Sequence, residues 1–226
     1  MIEIIYENTD FIVINKHHGI GFHNEEDELG IFSAVKEKLK TDVLFPVHRL
    51  DKVTSGILLF AKNQAVAAEL GAQFEKKTIN KLYLAISDKK PSKKQGTIKG
   101  DMVRSRRSSW KLTKTVDNPA ITQFFSYSIK SGLRLFIVRP LTGKTHQIRV
   151  ALKSIGAPIC GDPIYSSNNK DYDRTYLHAF AIKFTCSGEQ YEFKCLPTYG
   201  ELFISKEFNL LINNLGDLND IKWPKS

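Results

Sequence analysis

Two apolar rhythms run along this chain, one of alternation and short runs, the other of three- and four-residue steps. Residues 3–6 and 11–14 (Phe11-Ile12-Val13-Ile14) read as strands around an Asn8-Thr9-Asp10 turn. Lys16 to Phe22 is a glycine-containing connection, and Phe32, Val35, Lys36 and Leu39 then predict an amphipathic helix ending before Thr41. A strand over 57–61 is followed by a helix over 64–76, with Val66, Leu70 and Phe74 on one face and Asn63 as its N-cap. Lys81 to Ile86 is a strand. Residues 121–129 and 133–139 alternate around Ser131-Gly132 as a hairpin, and 176–185 with 190–195 form another around Ser187-Gly188. Between them Ile148, Leu152 and Ile155 line a helix from Thr145, its expected cap, to Gly156, which closes it; His146, Arg149 and Lys153 share another face. A short helix over Lys206 to Leu215 packs on the outside, within a peripheral tail over 201–226. Strands and helices mix without regular alternation, which gives an α+β fold: a mixed, mainly antiparallel sheet flanked by helices and loops.

The remaining stretch, 88–118, holds turn formers and short strand-like pieces, and charge explains it. From Asp88 to Lys114 there are ten Lys and Arg against Asp88 and Asp101, a net +8 in a chain whose net charge is +9. Such a segment attracts phosphates through counterion release. Arg104, Arg106 and Arg107 supply forks suited to phosphate, and Trp110 an indole that stacks on a base or on arginine. We read 88–118 as a basic arm inserted into a single domain over 1–226, and RNA as its partner. The acidic run Glu25-Glu26-Asp27-Glu28 faces away from RNA, into solvent.

Other features mainly exclude. Cys160, Cys186 and Cys195 are odd in number and form no Cys-x-x-Cys pair, so neither a disulfide framework nor a zinc site follows, and a reducing cytoplasm fits. The start, Met1-Ile2-Glu3, is no signal peptide, and no apolar run is long enough to span a bilayer. Gly143-Lys144-Thr145 ends like a phosphate-binding P-loop, but Val138 stands where that loop needs glycine.

The densest chemistry lies in Val47-His48-Arg49-Leu50-Asp51-Lys52-Val53-Thr54-Ser55-Gly56. Gly56 frees the backbone to turn and two hydroxyls can satisfy exposed amides, so Asp51 sits on a short connection at the mouth of a sheet. Taken alone, such an aspartate is a turn residue. The kinase loop, which also has His-Arg-Asp, is excluded by the intervening Leu50 and the lack of a glycine-rich loop and an Asp-Phe-Gly.

His48-Arg49-Leu50-Asp51 with Thr54-Ser55-Gly56 resembles the signature of the RluA-type pseudouridine synthases. Lys81-Leu82-Tyr83, Gly143 to Val150, Gly161-Asp162-Pro163-Ile164-Tyr165 and Leu177-His178-Ala179 resemble later blocks in the family's order, spanning roughly residues 4–197. The resemblance implies an enzyme, an RNA uridine isomerase acting on structured ribosomal or transfer RNA as a monomer without cofactor or membrane. It implies Asp51 as the catalytic carboxylate, and Arg149 as the guanidinium that keeps it charged and fixes its rotamer. Tyr83 would pack on the target base and take part in proton transfer. Arg49 would contact RNA or help displace the target nucleotide, a positive side chain filling the gap it leaves. His48, Arg104, Arg106, Arg107, Lys144, His146 and Gln147 complete the expected RNA contacts. His178 supports the site from a strand, and Asp162 caps backbone. Lys144 stands where relatives usually carry Arg, and Ala151 where many carry His. The rival reading is a non-catalytic RNA-binding or remodelling protein on the same fold.

Overall fold

The structure, a computed structural model, describes residues 2–25, 28–106, 108–166 and 171–224. In chain order the elements are β1 (Ile2–Glu7), β2 (Phe11–Lys16), α1 (Ile31–Leu39), β3 (Phe45–Pro46), β4 (Ser55–Ala61), α2 (Gln64–Glu75) and β5 (Asn80–Ser87). Then come β6 (Gln95–Gly100), β7 (Met102–Arg104), β8 (Trp110–Leu112), β9 (Ala120–Lys130), β10 (Leu133–Pro140) and α3 (Gln147–Ser154). The chain ends with β11 (Leu177–Cys186), β12 (Glu189–Lys194), α4 (Lys206–Leu215) and one 3-10 turn (Leu218–Asp220). The sheet is mixed and mostly antiparallel with few helices, the α+β class read from the pattern.

Contacts gather the chain into two compact units: residues 1–81 with 178–196, and 82–177 with 197–226. No composition shift marks the division because the chain leaves the first unit after β4 and α2 and returns to complete it with β11 and β12.

In the first unit β2 lies between β1 and β4, antiparallel to both, in a register running from Phe11 opposite Ala61 to Lys16 opposite Gly56. β11 joins β4 in parallel through His178 opposite Ser55 and Ala179 opposite Gly56. Every residue of β2 and β4 is buried, since both faces are covered. On one face Phe11, Val13, Ile57 and Leu59 meet Val66 and Leu70 of α2, and on the other Phe60 packs against Phe22 and Phe32. Asn63 caps α2 as expected, its side-chain oxygen accepting from the Val66 amide at 2.9 Å.

In the second unit β10 pairs antiparallel with β5 and β9, and β9 with β6. Leu135, Phe136, Ile137 and Val138 are all fully buried, so both faces of β10 are covered. The basic stretch is part sheet and part arm: β6 adds a strand beside β9, and β7 and β8 form a separate two-stranded hairpin. α4 buries Phe208 and Ile212 and leaves Leu210 exposed, so it lies at the periphery.

One helix boundary needs correction. Thr145 does not cap α3; His146 is the N-cap, in the left-handed conformation at φ 57° and ψ 16°, with no capping bond from its side chain. His tolerates this backbone region better than most residues. This conformation places His146 just outside the helix, at its N-cap. Gly156, at φ 78°, does close the C-terminal end.

Candidate active site

The turn at Asp51 is fastened from several sides. The Thr54 amide donates to the Asp51 carbonyl at 3.0 Å, and the Lys52 carbonyl accepts from the Gly19 amide at 2.8 Å. That carbonyl also takes a contact at 3.3 Å from the ammonium of Lys16, which is itself buried and donates to the carbonyls of His17 and Ile20 at 2.9 Å each. Buried ammonium is tolerated only when hydrogen-bonded. Here the bonds tie the end of β2 to the Asp51 turn. The reading of Lys16 as the start of a plain connection missed this; a lysine closing an apolar strand was the available signal.

Next along the chain, Ser55 Oγ lies 2.8 Å from His178 Nδ1, and His178 Nε2 lies 2.8 Å from the Cys195 carbonyl. A carbonyl only accepts, so Nε2 carries the proton and Ser55 donates to Nδ1. Both residues are buried, the supporting role expected of His178. Gly56 has φ +109°, and a Cβ there would lie 2.3 Å from the Ala179 oxygen. Only glycine permits both this backbone and this approach. Asp51 itself is partly exposed, Arg49 exposed and Leu50 buried.

Two neighbours depart from expectation. Lys52 donates to Glu25 at 2.6 Å and to Glu28 at 2.8 Å, so these members of the acidic run are paired rather than merely solvated; Glu26 and Asp27 lie outside the described residues. His48, expected among the RNA contacts, turns inward. Its Nε2 accepts from the Leu59 amide at 3.0 Å and its ring stacks on Phe74 at 4.9 Å. Burial first, then the charge of Lys81, pushes its pKa down to about 3, so it is a neutral structural acceptor.

In the second unit Tyr83 lies on β5 opposite Val138, partly exposed between buried Leu82 and Leu84. Arg149 is buried in α3 and grips Asp162 with two prongs, Nε to Oδ2 at 2.7 Å and Nη2 to Oδ1 at 3.0 Å. Asp162 Oδ1 also accepts from the Ile164 and Tyr165 amides at 2.9 and 3.0 Å, the backbone-capping role expected of it. The arginine pairing was not foreseen, because sequence spacing does not reveal which carboxylate a turn aims inward.

Gln147 is a second correction to the RNA set. It is buried, its oxygen accepts from the Thr142 hydroxyl at 2.6 Å and the Lys144 amide at 3.0 Å, and its nitrogen donates to Ile121 O and Thr122 Oγ1 at 3.0 Å each. With two donors and two acceptors engaged, the amide bolts α3 to β9 and has nothing left for a nucleotide. Lys144 reaches the Asn118 side chain at 2.9 Å and stays partly exposed. His146, also partly exposed, sets Nδ1 2.9 Å from the Tyr165 hydroxyl. Arg104 and Arg106 are exposed on the hairpin, Arg104 over the Trp110 ring at 5.8 Å; Arg107 lies outside the described residues. Among the described residues no helix is long and apolar enough to cross a membrane.

Residues 10–154 match the family described as RNA pseudouridylate synthase. An uncharacterized RNA pseudouridine synthase of Haemophilus influenzae is 49% identical over 203 residues, 90% of this chain and 91% of that protein. A ribosomal large subunit pseudouridine synthase C of Rickettsia bellii is 37% identical over 184 residues, 78% of this chain and 61% of its own length. An uncharacterized RNA pseudouridine synthase of Bacillus subtilis is 35% identical over 80% of this chain, which spans 63% of it. Among solved structures, human RNA pseudouridylate synthase domain containing 1 shares the fold at a TM-score of 0.76, with 22% identity over 100% of this chain and 97% of that one. The ordered motifs, the match over most of the chain and the shared fold agree: this chain belongs to the RluA-type branch of the RNA pseudouridylate synthases, a family of isomerases.

Proposed function

We propose that this protein isomerises specific uridines in structured ribosomal or transfer RNA, with Asp51 as the catalytic carboxylate. The supporting observation is local. A partly exposed carboxylate sits on a turn held by the buried Lys16, by Gly19 and by the Ser55–His178 pair, while the strand that follows is entirely buried. A solvent-facing turn aspartate does not need such fastening; a group that must meet a reacting atom does. In the reaction the N1–C1′ bond of uridine breaks, C5 takes its place on C1′, C5 gives up its proton and N1 gains one. Asp51 serves as nucleophile or general base at the sugar–base junction. Tyr83 packs on the base and assists the C5 proton transfer, and Arg149, aimed by Asp162, orients the carboxylate.

Arg49, Arg104, Arg106, Lys144 and His146 form the RNA-binding set. A relative named for the ribosomal large subunit favours ribosomal RNA as the substrate. The test is Asp51→Asn, assayed for RNA binding and for pseudouridine in RNA from cells lacking the gene. Retained binding with no product supports the proposal. Product from the variant removes Asp51 from the chemistry, and no product from the unaltered protein on any cellular RNA favours a non-catalytic RNA-remodelling role.

A further inference from the structure

Tyr165 is the residue where the basic hairpin meets the arginine helix, and nothing in the chemistry above uses it. It is buried, and its hydroxyl accepts from the Trp110 amide, the first residue of β8, at 2.9 Å. The same oxygen lies 2.9 Å from His146 Nδ1, at the head of α3. Its ring lies under the Arg149 guanidinium at 5.1 Å and the Lys153 ammonium at 5.5 Å, and its amide donates to the carboxylate that grips Arg149. One side chain thus joins the strand bearing Trp110 and Lys111, the N-cap of α3 and the Arg149–Asp162 pair.

We propose that Tyr165 is a positioning residue: its hydroxyl latches the β7–β8 hairpin to α3, so that RNA held by the hairpin sets the aim of Arg149. This rests on the reading of Arg149 and RNA given above. The hydroxyl suits the task because a phenol accepts and donates at once. Accepting from Trp110 while donating to His146 Nδ1, it leaves the imidazole proton on Nε2. The ring adds an attraction to both cations that does not depend on the hydroxyl. The two contributions can therefore be separated.

Tyr165→Phe removes the latch and keeps the ring. Single-turnover rates at saturating RNA are measured beside RNA affinity by filter binding. The expected result is about a tenfold slower rate with affinity within about twofold, since the hairpin's charges remain; a packing role alone would lower the melting temperature and leave the saturated rate unchanged. The second arm is Arg104→Ala with Lys111→Ala. In the unaltered background this pair should weaken RNA binding and also slow the saturated rate; in the Tyr165→Phe background it should weaken binding only. An unchanged rate in Tyr165→Phe, or equal slowing by the hairpin pair in both backgrounds, overturns the proposal. If Tyr165→Phe does not fold, 3-fluorotyrosine at 165 keeps the hydroxyl but changes its acidity; a changed rate at constant affinity supports the latch and an unchanged rate refutes it. Failure of the underlying reading shows itself separately, as activity that survives Asp51→Asn.

Discussion

Removing the carboxylate of Asp162 is the most demanding test of the second unit. The side chains of Asp162 and Arg149 are 0% and 3% exposed, and two prongs of 2.7 and 3.0 Å join them. Asp162→Ala takes two charged hydrogen bonds from the buried guanidinium and the acceptor from two turn amides, of Ile164 and Tyr165. Breaking one side of a buried ion pair costs about 3–5 kcal/mol. For a chain of this size each kcal/mol moves the melting temperature by about 2–4 °C, so Asp162→Ala should melt roughly 6–20 °C lower. Asp162→Asn keeps an oxygen for the two amides and loses the charge, at a smaller cost of about 1.5–3 kcal/mol. Urea denaturation followed by circular dichroism measures both variants, and Arg149→Met, alone and combined with Asp162→Ala, completes a double-mutant cycle. Replacing both partners should cost less than the two single changes together, because neither charge is then stranded. An Asp162→Ala variant within about 1 kcal/mol of the unaltered protein would show that water or another group solvates Arg149, and the account of how this arginine is aimed would fall.

Two further outcomes follow from the first unit. Gly56→Ala combines a left-handed backbone with a Cβ 2.3 Å from the Ala179 oxygen, so it should cost about 3 kcal/mol or more, read as a lowered urea midpoint or loss of soluble protein. His48 has its pKa near 3 in the folded chain against about 6.5 when unfolded, so between these values the unfolded state binds more protons. Stability should be fully present above pH 6.5 and decline by up to about 1.4 kcal/mol per pH unit as pH falls toward 3. His48→Gln, which keeps an acceptor for the Leu59 amide, should flatten that decline in urea titrations at pH 4.5 and 7; an unchanged slope would mean that His48 is not the titrating group.

Much of the frame was legible because it rests on short-range signals. Asn63 before an apolar 3.6-residue stripe gave α2 and its cap, and Ser131-Gly132 between alternating runs gave the β9–β10 hairpin. The site was legible only as far as its motifs. Side chains that bond backbone amides look the same in sequence whether they face a ligand or the interior, and His48 and Gln147 both proved to face inward. Lys16 was missed for the opposite reason: charge reads as exposure, and only the fold reveals three carbonyls gathered around it. His146 took the capping position from Thr145 because the backbone there is left-handed, a state that no local pattern announced.

The parallel seam between β4 and β11 has a consequence for synthesis. Ser55 and Gly56 leave the ribosome more than a hundred residues before His178 and Ala179, their ladder partners. Throughout that interval the Ser55–Gly56 end of β4 lacks the strand that covers it, while β3 and His48 already hold the rest of that border. Contacts this far apart in sequence form slowly. Fragments that stop short of β11 also lack Ile182 and Phe184 of the first unit's core, and should be recovered as aggregates.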